Sequence, residues 1–135
     1  MKKTQRDENT ARYRSASAYE GLVGFSRAIR RGSRIIVSGT PPIDENGETI
    51  AGDAYEQAKR CYENVIEAVE ALGGSREDVI HIRASLTDAC HWDAVGRAHG
   101  ECFRDLYPAA TMVVVKGLLD PRWVVEIEAD AEVAP

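Results

Sequence analysis

The residues able to do chemistry gather toward the end of the chain. In Val124-Val125-Glu126-Ile127-Glu128-Ala129-Asp130-Ala131 the acids recur at every second position, and Val125, Ile127, Ala129 and Ala131 stand between them. A period of two belongs to a strand with unlike faces, here one apolar and one acidic. Such an acidic face is either solvated or lines a cleft. Arg83 alternates in the same way with Ile82 and Ala84, so by strand parity it shares a sheet face with Glu126. There its planar guanidinium can serve an anionic ligand or neutralise the acids. Cys90, His91, His99 and Cys102 are metal-ligand types, but their offsets along one helical segment do not converge on a tetrahedron, and no metal is expected. His99 falls among core-facing helix positions and reads as a packing histidine. The sequence has no nucleophile elbow, phosphate loop or HExxH spacing.

These side chains need a sheet to hold them. Phe25 to Ile29 and Arg34 to Ser38 are β-like runs about Arg30-Arg31-Gly32-Ser33, a candidate hairpin. Gly39 to Glu48 is a loop, broken by Pro41-Pro42 and by Asn46-Gly47. Asp53 to Leu72 has helical apolar spacing and is followed by Gly73-Gly74. Val79 to Thr87 reads as a third strand and His91 to Leu106 as a second helix. Two β-branched runs flanking Leu118-Leu119-Asp120-Pro121-Arg122 close the chain as neighbouring strands, read as a hairpin. The order β-β-α-β-α-β-β is satisfied most simply by an α+β fold, a single sheet with both helices on one face. The other face would show His81, Arg83 and Ser85, then Met112, Val114 and Lys116, then Glu126 and Glu128. That mixture is too apolar for plain solvated surface and too charged for a core, which favours a symmetric oligomer with clefts between subunits.

Composition narrows the partners. With 135 residues, 44% hydrophobic and 29% charged, the chain fits one domain with its own core. Residues 1–16 are polar and expected to be flexible, leaving 17–135 as the domain. A net charge of -5 is of the wrong sign for nucleic acid, and Arg27, Arg30, Arg31 and Arg34 are expected to decorate a solvated hairpin turn. The odd count of three cysteines, without CxxC spacing, suits a reducing compartment. No apolar run is long enough to span a bilayer, so a cytoplasmic location is expected.

Ser38-Gly39 with Pro42, the helix Asp53 to Leu72, Val79 to Asp88, Pro108-Ala109-x-Thr111 and Val125-Glu126-Ile127-Glu128-Ala129, in that order, resemble the Rid family. These are the reactive intermediate deaminases, also called YjgF-like proteins and formerly L-PSP endoribonucleases. The resemblance covers roughly Gly24 to Val133. It implies a chorismate-mutase-like fold and a homotrimer with small-molecule clefts between subunits. It also implies hydrolysis of reactive enamines and imines to a keto acid and ammonia, as by a 2-iminobutanoate/2-iminopropanoate deaminase, without metal or cofactor.

Carried over residue by residue, the resemblance also exposes departures. Ala110 stands where active members have the arginine that pairs with the substrate carboxylate. Met112 takes the place of a cysteine, Phe25 that of a tyrosine, and Gly96 that of an asparagine. Glu126, which the resemblance places to handle water or the substrate nitrogen, is kept. The implied site is therefore Glu126 as the catalytic group, with Phe25, Gly39, Arg83, Ala110 and Met112 around the substrate. A plainer account stands beside each. Glu126 can belong to a structural ion pair, Gly39 can close a turn, Phe25 and Met112 can be interface packing, and Arg83 can neutralise Glu126 or Glu128. A hydrolase with altered recognition, a non-catalytic metabolite-binding trimer and an endoribonuclease remain as functions. Net charge disfavours the last.

Overall fold

Asp53 starts the longest helix, its carboxylate accepting the backbone N–H of Glu56 at 3.0 Å. A cap of this kind satisfies one of the donors that a helix N-terminus leaves open. The computed structural model describes residues 8–135. Along them run β1 (Thr10–Tyr13), α1 (Ala18–Val23), β2 (Ala28–Arg31), β3 (Arg34–Thr40), α2 (Ala54–Ala71), β4 (Val79–Leu86), α3 (Trp92–Phe103), β5 (Ala109–Val114) and β6 (Val125–Glu132). The strands form one six-stranded sheet in the order β1-β2-β3-β6-β4-β5. β4 and β5 are parallel, joined by α3 as a crossover, and the other pairs are antiparallel.

One face of the sheet carries the core. Ile35, Val37, Ile82, Ala84, Leu86, Val125, Ile127, Ala129 and Ala131 point to it and are buried. They pack against Ala58, Cys61, Val65, Ala68 and Val69 of α2 and Val95, Ala98 and Phe103 of α3. Each of those strands therefore hides alternate residues, as the sequence periodicity requires. His99 lies in this layer, among the rings of Tyr62 and Phe103 with its Nδ1 3.3 Å from the Tyr62 hydroxyl, and burial lowers its pKa. Among the described residues no group of His, Cys, Asp and Glu converges as a metal site.

Four expectations change. The last two strands are not a hairpin, because β4 lies between β5 and β6 and pairs with both. The Leu118 to Arg122 segment therefore crosses over the end of β4. The parity of β5 is reversed as well, since Ala84 pairs with Met112 and Leu86 with Val114. Met112 and Val114 consequently stand on the helix side, while Thr111 and Val113 join Arg83 and Ser85 on the open face, and Lys116 lies past the strand. The polar segment before residue 17 contains strand β1, paired to β2; residues 1–7 of that expectation lie outside the described residues. Finally, Arg27 is no surface cation: it is 2% exposed.

Candidate functional site

The site is built where β3 loses its regular register. Val37 pairs with Ala129 and Thr40 with Ile127, so Ser38 and Gly39 together stand opposite Glu128 alone. One extra residue in a strand is a β-bulge, which bends the strand and re-aims neighbouring side chains. Into the space beside the bulge leans Glu126. A Cβ on Gly39 would lie 2.9 Å from the Glu126 Cδ and closer still to its Oε1. The bare Cα is thus what lets the carboxylate lie there.

Beneath this contact is a buried cation. The Arg27 guanidinium donates to the Gly39 carbonyl, to the Ser38 carbonyl at 3.4 Å and to Thr40 Oγ1 at 3.3 Å. Its other nitrogen lies 3.4 Å from Glu20, which is fully buried and also accepts from the Ser15 backbone at 2.9 Å, the Ser15 hydroxyl and Arg14 Nε at 3.2 Å. The Phe25 ring covers the guanidinium, 5.6 Å from centroid to Cζ, a cation–π geometry. Arg27 thereby fixes Phe25 and Gly39 in place, with its donors turned to the backbone and its charge balanced by Glu20.

Glu126 is half-buried and has no hydrogen-bond or ion-pair partner among the described residues. Burial raises its pKa above the ordinary 4.5, Arg27 draws it back, and Glu128 pushes it up again. A carboxyl poised in this way suits proton transfer near neutral pH better than a solvated one does. On the core side of the same strand Cys61 reaches the Val125 carbonyl at 3.8 Å. Full burial raises its thiol pKa well above the usual range, so it stays neutral and serves as packing.

The expected site residues thus fall into two groups within one chain. Phe25, Gly39 and Glu126 come together about Arg27. Ala110 and Met112 do not: they lie on β5, two strands from β6 or roughly 10 Å across the sheet, and on its other face. Arg83 lies on the face of Glu126 but pairs in register with Glu128, whereas Ser85 stands opposite Glu126. All six residues of β5 are exposed along the sheet edge. The sequence places Arg27 at a solvated turn and gives Glu20 no role, because neither an arginine in a basic run nor a glutamate in a short helix announces burial.

The endoribonuclease L-PSP family matches residues 15–133. An uncharacterized protein of Streptomyces coelicolor is 39% identical over 124 residues, covering 92% of each chain. Rv2704 of Mycobacterium tuberculosis, a member of the YjgF/YER057c/UK114 family, has a structure that matches with a TM-score of 0.84 at 33% identity, covering 92% of this chain and 99% of that one. Escherichia coli TdcF, solved with bound serine, matches with a TM-score of 0.79 at 26% identity over 98% of this chain and 97% of its own. A bulged strand beside a half-buried glutamate, on a single mixed sheet backed by helices, is therefore the work of a YjgF-like, chorismate-mutase-like fold. The chain belongs to the endoribonuclease L-PSP (YjgF/RutC) family.

Proposed function

We propose that this chain forms a homotrimer whose clefts, between neighbouring subunits, hydrolyse a reactive imine or enamine. The half-buried, unpartnered Glu126 carboxylate beside the Gly39 bulge carries this reading. The separation of Phe25, Gly39 and Glu126 from Ala110 and Met112 supports the interfacial part. A second copy laying its β5 edge against the bulge would unite the two groups, and it would cover Val113, 39% exposed, on the open face.

The chemistry needs no redox partner. Water adds to the carbon of a protonated imine as Glu126 takes one of its protons, and the C=N π pair moves onto nitrogen. Glu126 then returns that proton to nitrogen. The C–N bond breaks with its electron pair on ammonia, the hydroxyl becomes a carbonyl, and the released proton leaves with ammonia as ammonium. The serine bound to TdcF supports small-molecule binding on this fold.

The alternative is a trimer that binds a metabolite without turnover, and Ala110 favours it by removing the carboxylate-pairing arginine. An endoribonuclease is disfavoured by the net charge of -5 and the acidic face of β6. The test is ammonia release from imines generated in situ, with wild type and Glu126→Gln compared. Acceleration by wild type that the variant loses supports hydrolysis. Equal rates with and without the protein would leave binding alone, and RNA cleavage that survives further purification would overturn both.

A further inference from the structure

We infer that a second small-molecule site lies within the single chain, in the cavity between α2, the loop at 41–45 and residues 13–16, and that it takes a short zwitterion whose amine and carboxylate stand several carbons apart. Every group that builds this site belongs to one subunit, so it is independent of the interfacial cleft. The cavity has a volume of about 170 Å³. One water needs roughly 10–15 Å³, so a small organic molecule can enter.

The walls are set by hydrogen bonds already in place. Arg60 Nε donates to the Ile43 carbonyl at 2.8 Å, and the Asn64 amide donates to the Pro41 and Ile43 carbonyls at 3.2 and 2.9 Å, so α2 grips the loop. The Asp44 carboxylate turns that loop by accepting the backbone N–H groups of Asn46 at 2.9 Å and Glu48 at 3.0 Å. A Cβ on Gly47, where φ is 83°, would stand 2.5 Å from the Ala16 carbonyl, so the loop also closes tightly on the N-terminal segment.

Three cations and three acids line the space: Arg14, Arg27, Arg60, Asp44, Glu45 and Glu67. The balance favours neither a net anion nor a net cation. Arg14 and Arg27 share the buried Glu20, Asp44 is committed to its turn, and the Glu45 side chain is 80% exposed. Two groups keep capacity for a ligand. The terminal nitrogens of Arg60 make no hydrogen bond among the described residues, their nearest acids being Glu45 at 3.7 Å and Glu63 at 4.0 Å. Glu67 accepts from the Tyr13 hydroxyl at 3.1 Å and has its second oxygen to offer.

Spacing sets the length of the ligand. Arg60, Asn64 and Glu67 follow one another at i, i+4 and i+7 on one face of α2. Seven residues of helix separate the first from the last by roughly 10 Å. A hydrogen bond of about 3 Å at each end leaves roughly 4 Å between the charges of a bridging molecule. A single carbon between the charges, as in an α-amino acid, is too short a span, whereas three carbons suit it. Asn64 lies between the two ends with its Oδ1 as a further acceptor for the ammonium.

Equilibrium dialysis of the full chain with radiolabelled 4-aminobutanoate tests this. Saturable binding is expected, and glycine, butylamine and butanoate, which lack the span or one charge, should compete about tenfold less well or worse, the ratio one charge-assisted contact supplies. Glu67→Gln still accepts from Tyr13 and should reduce the affinity for 4-aminobutanoate to that of butanoate. Arg60→Met should reduce it to that of butylamine, and where loss of the grip on the loop unfolds that variant, Glu67→Gln decides alone. Glu126→Gln should bind as wild type does. Absence of saturable binding, equal competition by any of the three analogues, or full affinity in Glu67→Gln would overturn the site. Loss of binding in Glu126→Gln would place the ligand in the open-face cleft and overturn it as well.

Discussion

The terminal methyl of Met112 lies 3.8 Å from the point where a Cβ on Gly96 would stand. Met112 on β5 thus packs over the room that the glycine of α3 leaves open. The spacing is ordinary contact, so Gly96→Ala should fit and raise stability by about 0.5–1 kcal/mol through lost backbone entropy. Gly96→Asn should instead crowd Met112 and cost about 1–3 kcal/mol, with much of the loss recovered by adding Met112→Cys. Thermal melts of these variants and of Met112→Cys alone check this, and additive effects in the double variant would show that the two positions do not communicate.

The Glu20–Arg27 pair gives a larger effect in the opposite direction. Glu20→Ala leaves a guanidinium buried without its anion, which should cost about 3–5 kcal/mol in urea unfolding. Adding Arg27→Met should return part of that stability, yet reduce activity because Gly39 and Phe25 lose their anchor. A Glu20→Ala chain as stable as wild type would mean that water reaches Arg27.

Glu126 predicts a pH dependence whose sign follows from burial. A carboxyl whose pKa rises on folding holds more protons folded than unfolded, so its contribution to stability falls as pH climbs from 4.5 through the raised value. Glu126→Gln should therefore melt higher than wild type at neutral pH, with the difference closing as pH drops below the ordinary carboxyl value. The acid limb of the activity profile should lie above that value too. A constant difference in melting temperature across pH would argue against a strained carboxylate.

Assembly can be tested at β5. Light scattering should report three subunits for wild type, and Val113→Asp should yield smaller species by placing a charge on the open face of the edge strand. A stable wild-type monomer would remove the interfacial cleft.

Most of the architecture was legible because its signals are local. Asp53, the spacing from Ala54 to Leu72 and Gly73 bound α2 to within a residue of its observed ends, and the alternation in β6 assigns Glu126 its face. Pairing was not legible. Nothing in Pro108 to Ala131 states that β4 will enter between two runs that look like a hairpin, since a parallel partner is chosen by the crossover helix. The parity of β5 failed for the same reason, because an exposed strand rich in apolar residues carries no clear alternation. In the site, Gly39 and Glu126 could be named from the resemblance. The bulge that joins them, and the Arg27–Glu20 pair beneath, are tertiary facts that residue type does not encode.

β6 is the last strand in the chain, yet it lies between β3 and β4 at the centre of the sheet. Until residues 125–132 are available, β1-β2-β3 and β4-β5 are separate half-sheets, each with an unsatisfied inner edge. A growing chain therefore has to keep those edges apart or protected, and the strand that joins them is the one bearing Glu126. Joining of the two half-sheets and arrival of the candidate catalytic group are one event, so the Gly39 bulge and Glu126 meet only when β6 pairs.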